Sequence, residues 1–100
     1  MLVTSSNDIK LGNIKYGQPQ NFKYTLTNVS DKPIKVERLM VSCTACTTAS
    51  MKKALLQPNE TGEVDVVFTP GSLGVAKKSV TVVYTGNQTL LLNFNATVEK

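Results

Sequence analysis

Phe22, Tyr24 and Leu26 alternate with Lys23, Thr25 and Thr27, and later Leu90, Leu92, Phe94, Ala96 and Val98 hold the same two-residue period over five positions. A period of two sends successive side chains to opposite faces of an extended chain, whereas an amphipathic helix needs a period of 3.6. The helical period is almost absent. The chain is therefore expected to fold as half-buried strands, and the fold class is all-β.

Further strands follow from the same rule. Residues 9–14 place Ile9 and Leu11 on one face before Gly12-Asn13 interrupts, and Tyr16-Gly17-Gln18-Pro19 forms a turn. Residues 28–33 are dense in turn formers. Ile34 and Val36 then alternate, and Leu39 and Val41 resume on the other parity, which predicts a β-bulge near Glu37 and Arg38. Residues 43–57 fit neither a strict strand nor a capped helix and are expected to form a loop and a short edge strand. After the turn Pro58-Asn59-Glu60-Thr61-Gly62, Val64, Val66 and Phe68 alternate with Glu63, Asp65 and Val67. Val80, Val82 and Tyr84 mark the next strand, and Gly86-Asn87 predicts a tight hairpin into the last one.

About seven short strands separated by turn clusters in 100 residues are the pattern of a single immunoglobulin-like β-sandwich occupying residues 1–100. With 41% hydrophobic residues such a chain can bury a core without a cofactor. It is not an antibody-type domain, because the two cysteines are three positions apart and tryptophan is absent.

Composition also removes chemistry. Without histidine there is no Ser-His-Asp or Cys-His nucleophile and no histidine metal site. Glu60, Glu63 and Asp65 lie near one strand start with the look of solvated side chains, and no glycine sits in a phosphate-cradling strand-to-helix turn. No cofactor and no small-molecule substrate are expected. The formal charge of +4 is spread over scattered lysines and the pairs Lys52-Lys53 and Lys77-Lys78, which argues for edge protection and against nucleic acid. The first ten residues lack the basic start and apolar run of an export signal, and no stretch is long and apolar enough for a membrane span, so no membrane partner is expected. Asn-X-Ser/Thr triplets, Asn28 among them, carry no weight in a chain so rich in these residues.

Cys43-Thr44-Ala45-Cys46 is the one constellation with reactive potential. Zinc would require four ligands and hence two chains. A thioredoxin-like role would require a helix N-terminus beside the first thiol. A local disulfide is sterically open and would need an oxidising compartment. The reading favoured by the residues is two reduced thiols acting as small apolar side chains where a strand leaves its sheet.

The order of these motifs resembles one branch of immunoglobulin-like domains. Leu11-Gly12-Asn13-Ile14 then Gly17, Phe22 through Asn28 with Pro33-Ile34, Val41-Ser42-Cys43 then Cys46-Thr47, and Pro58-Asn59-Glu60 with Val66-Val67-Phe68 and Gly74 are similar to the bacterial Ig-like domain of unknown function with a Ser-Cys-Gly-Cys-Thr type signature. That family is related to Hydin-type ASH domains and, more distantly, to major sperm protein. The chain departs from it where Thr44-Ala45 replaces a single glycine.

The resemblance implies a non-enzymatic structural or interaction module. For a chain without an export signal it points to an accessory part of a phage virion or similar large assembly, as decoration, cement or neck and tail protein, built in a reducing host cytoplasm. The alternative is a free-standing cytoplasmic or periplasmic adaptor of the ASH or major-sperm-protein kind that binds a peptide or protein or self-associates. Either way the expected partners are proteins, and a homo-oligomer is one form of that. Met51, Leu55, Leu56 and Leu73 are the candidate contact residues, since they are apolar and lie outside the regular strands.

Overall fold

The computed structural model describes residues 2–4 and 8–100, and their strands form two packed sheets. In chain order the strands are β1 (Leu2–Thr4), β2 (Asp8–Lys15), β3 (Gln20–Asn28), β4 (Ile34–Val41), β5 (Thr47–Met51), β6 (Leu55–Leu56), β7 (Thr61–Phe68), β8 (Gly74–Tyr84) and β9 (Gln88–Glu99). One sheet has the order β1-β3-β7-β5 and the other β2-β9-β8-β4-β6. All pairs are antiparallel except β2 with β9. The all-β sandwich expected from the alternation is the observed fold. The seven expected strands are present, and two short ones are added, β1 and β6. Both are too brief to show a period of two, and pairing with β3 and β4 is what orders them.

Alternation is converted directly into a core. Tyr24, Leu26, Val64, Val66 and Phe68 of the first sheet face Val80, Val82, Leu92, Phe94, Ala96 and Val98 of the second, all buried. Burial of each such side chain contributes about 1.5–3 kcal/mol relative to exposure. Two aromatic contacts knit the layers, Phe22 and Phe68 meeting Phe94 edge-on at 4.9 and 5.3 Å, and within β3 Phe22 meets Tyr24 at 5.9 Å.

The expected bulge is real. Pairing of β4 with β8 shifts between Val36 and Arg38, so Glu37 is set aside and Leu39 and Val41 return to the inner side. Gly86 and Asn87 both have positive φ, 79° and 60°, which gives the turn between β8 and β9 the hand of the twisted strands it joins. Those two strands, 11 and 12 residues long, set the 48 Å length of the molecule.

Asn28 departs from the turn expected around it. It is the last residue of β3 and fully buried. Its amide nitrogen donates to the carbonyls of Lys32 and Leu56, at 2.8 and 2.9 Å, and its side-chain oxygen accepts from the backbone N–H and hydroxyl of Ser30. One side chain thus holds the β3–β4 loop and the edge strand β6 together.

Candidate functional site

The outer faces of the two sheets differ. On the four-stranded sheet, Thr25, Thr27, Thr48, Ser50 and Thr61 surround Lys23 and Glu63, which pair at 3.6 Å, and this face is rich in hydroxyls, with Val3 and Val67 its apolar members. On the five-stranded sheet the register runs Met40–Thr81–Leu91 across β4, β8 and β9, and Met40 and Leu91 are each 51% exposed. The row beside it is Arg38–Val83–Thr89, in which Val83 is buried yet outside the inner core. In the other direction, about 14 Å along β9 at 3.4 Å per residue, Lys10 and Lys77 flank Asn95. The next row exposes Val75, the most open apolar side chain among the described residues at 70%. Arg38, Lys10 and Lys77 form no ion pair among the described residues. Met40 and Leu91 thus form an exposed apolar pair, with Arg38 in the row on one side; on the other, the row Asp8–Asn93–Ser79 and then Lys10 and Lys77 separate the pair from Val75.

A second feature lies at the end of the sandwich where the chain crosses from β4 to β5. Cys43 and Cys46 are joined by a disulfide bond. The expectation of two reduced thiols is corrected, because the turn at residues 43–46 brings the two Cα atoms to 5.5 Å, within bonding range. The turn is also pinned by its backbone: the Thr47 N–H donates to the Cys43 carbonyl at 2.9 Å, and the Thr69 N–H donates to the Cys46 carbonyl at 2.8 Å. Both cysteines line a cleft of about 400 Å³ with Phe68, Thr69, Ala76 and Lys78. Lys78 pairs with Phe94 between Ala76 and Val80, so it stands on the inward-facing side of β8 at the mouth of the sandwich. It is thus not one of a surface pair with the exposed Lys77. The signal was its parity with Val80, Val82 and Tyr84.

Of the four expected contact residues, two are presented to solvent. Leu73, before β8, is 53% exposed and Leu55 of the edge strand β6 is 48% exposed. Leu56 is fully buried and Met51 is half-buried against the core. The reason is Gly62, where a side chain would come within 2.8 Å of the Met51 tip and 2.9 Å of Leu56; both fill the space that glycine leaves. Met40, Val75 and Leu91 were missed because each sits in a regular strand, where an apolar residue off the dominant parity attracts little notice.

The carboxylates do not assemble an acid/base pair. Glu63 and Asp65 lie on the polar outer face, and Glu60 is engaged by the Lys53 ammonium and the Gln57 N–H, which hold its carboxyl below its ordinary range in that order of effect. Among the described residues no three His, Cys, Asp or Glu side chains gather in a way that could hold a metal ion.

Residues 2–98 match the family described as "Protein of unknown function (DUF1573)". The chain belongs to this family. No curated protein matches the sequence. Among solved structures the DUF1573 domain is similar to a protein of unknown function from Porphyromonas gingivalis W83, with a TM-score of 0.77 and 12% identity over 99% of this chain and 46% of that one. It is also similar to the VesB protease of Vibrio cholerae, with a TM-score of 0.71 and 16% identity over 99% of this chain and 32% of that one. The ASH / PapD-like domain 7 of human CEP192 gives a TM-score of 0.72 and 13% identity over 99% of this chain and 85% of that one. The chain thus spans less than half of the first two proteins, and at these identities the likeness is one of fold.

Proposed function

We propose that this domain is a non-catalytic docking module that binds an acidic, apolar-anchored segment of a protein partner on the outer face of its five-stranded sheet. The observation that carries the reading is the exposed Met40–Leu91 pair, which lies between Arg38 on one side and Lys10 and Lys77 on the other. Scattered exposed apolar residues are ordinary, but here Met40 and Leu91 share one face with cations that form no ion pair among the described residues, and an acidic segment would neutralise them. The PapD-like domain of CEP192 supports a module of this architecture existing as part of a larger chain. VesB is a protease that this chain matches over 32% of its length, so that likeness does not transfer catalysis.

Two settings fit such a module. One is an accessory place in a virion or similar assembly. The other, a free-standing adaptor in an oxidising compartment such as the periplasm, is favoured by the Cys43–Cys46 bond, since a reducing cytoplasm keeps thiols open. Leu73 and Leu55 remain secondary contact candidates.

The test is recovery of the native protein with its partner, identified by mass spectrometry, for wild type and for Met40→Asp/Leu91→Asp. Removing two half-exposed apolar contacts and adding two charges that repel an acidic partner should weaken binding at least about 30-fold, roughly 2 kcal/mol. Thermal stability should stay unchanged. Undiminished recovery of the same partner, or loss only in Leu73→Asp, would move the site off this face.

A further inference from the structure

The cleft at the β4–β5 crossover carries more than packing. We infer that Cys43–Cys46 is a thiol–disulfide exchange site whose substrate is a dithiol, two neighbouring thiols on a partner molecule, and this goes beyond the docking reading. Three observations converge on it. First, the bond is accessible: both cysteines are partly exposed and line an open cleft of about 400 Å³. Second, the bond is not what shapes its own loop, because the Thr47 and Thr69 N–H groups hold the Cys43 and Cys46 carbonyls whether or not the sulfurs are joined. A disulfide that closes so short a loop also constrains the unfolded chain little. Third, the surroundings favour the charge that appears when the bond opens. Lys78 occupies an inward-facing position of β8, lines the same cleft and has no carboxylate in ion-pair range among the described residues. Asp8 lines the neighbouring cleft with Lys77 and Lys78 but does not line the disulfide cleft. From the other side, the Thr47 side chain is buried and its hydroxyl lies 3.6 Å from the Cys46 sulfur. Since a disulfide sulfur has no hydrogen, that hydroxyl is the donor.

The exchange follows from this asymmetry. A partner thiolate attacks Sγ of Cys43, forming a mixed disulfide, and the Cys43–Cys46 bond breaks with its electron pair going to Cys46. Cys46 leaves as a thiolate that the Thr47 hydroxyl and the Lys78 ammonium stabilise, and better-stabilised thiolates leave faster. The partner's second thiolate then attacks the partner sulfur of the mixed disulfide and releases Cys43 as a thiolate. The partner ends as a disulfide, oxidised by two electrons, and this domain ends as a dithiol that takes up two protons. The reductant is the partner dithiol itself. The cation needed beside a reactive cysteine is supplied by a lysine of a strand, where thioredoxin-like sites use a helix N-terminus.

The test equilibrates the folded protein with mixtures of reduced and oxidised dithiothreitol, tags free thiols with a maleimide and counts them by mass. The wild type should show both thiols tagged together while its far-ultraviolet circular dichroism is unchanged. Lys78→Met should lower the opening equilibrium constant about tenfold, the size of one lost contact to a charged group. Thr47→Val should shift it the same way. With iodoacetamide as probe below pH ~8, the single thiol of Cys43→Ala should react faster than that of Cys46→Ala, because Cys46 is the thiolate that Thr47 and Lys78 stabilise. A bond that opens only when the protein unfolds would overturn the inference, and so would opening that is the same in Lys78→Met as in wild type. Should Thr47→Val fail to fold, the Lys78→Met comparison decides alone.

Discussion

Asn28 and Tyr24 show how single polar groups are fitted into an apolar sandwich. Replacing Asn28 by alanine would leave the Leu56 and Lys32 carbonyls without their donor and release Ser30, so Asn28→Ala should lower unfolding free energy by about 3 kcal/mol, as measured by urea denaturation. The Tyr24 hydroxyl crosses between the sheets and donates to the Asn93 carbonyl at 2.5 Å. Burial, and secondly the negative charge of Asp8, push its phenol well above the ordinary tyrosine range. Because the folded state holds this proton more tightly than the unfolded chain, the contribution is complete below the unfolded value near pH 10 and is lost as pH rises from there toward the folded value. Stability should fall by up to about 1.4 kcal/mol per pH unit from this group above pH ~10, and the curves of wild type and Tyr24→Phe should converge there. Denaturation series from pH 8 to above 10, run on both proteins, check it; parallel curves would contradict it. Neither role is visible in the sequence. Tyr24 shows only the parity of an inward residue, and Asn28 looks like a turn former because its partners lie 4 and 28 positions away.

At the scale of elements, local pattern was a good guide where a strand supplied at least two apolar positions of one parity. The slip between Val36 and Leu39 announced the β4 bulge, and Gly86-Asn87 announced the β8–β9 hairpin. It failed where an element is made by its neighbours. Leu55–Leu56 becomes β6 only by pairing with Ile34 and Lys35, and Leu2–Thr4 becomes β1 only by pairing with the end of β3. The parallel pairing of β2 with β9, the first and last strands of one sheet, is a property of topology that no local window contains. The disulfide belongs to this scale as well: spacing made it possible, but the crossover from one sheet to the other, together with the Thr47 and Thr69 hydrogen bonds, makes the turn that closes it. The same division explains the contact residues. Met51 and Leu56 lie outside the regular alternation and so looked free, yet the buried Gly62 of β7 draws them inward, while Met40 and Leu91 sit in regular strands and point out.

For the whole molecule, the sandwich places its core between two outer faces, one rich in hydroxyls with a paired Lys23 and Glu63, the other carrying the exposed Met40–Leu91 pair with Arg38, Lys10 and Lys77 unneutralised by any ion pair among the described residues. A domain that had only to stay dissolved would gain nothing from that second face. It also holds its redox-capable bond at one end of a 48 Å body, in a cleft separate from the Met40–Leu91 strip, so docking and thiol exchange can be altered independently. The most direct test of the docking claim is hydroxyl-radical footprinting of the native complex against the free domain, read by mass spectrometry at Met40 and Leu91. Both side chains are half-exposed in the free domain and should be severalfold protected in the complex, while residues of the hydroxyl-rich face keep their reactivity. Equal labelling of Met40 and Leu91 in both states, with protection appearing on the hydroxyl-rich face or around Leu73, would contradict the account.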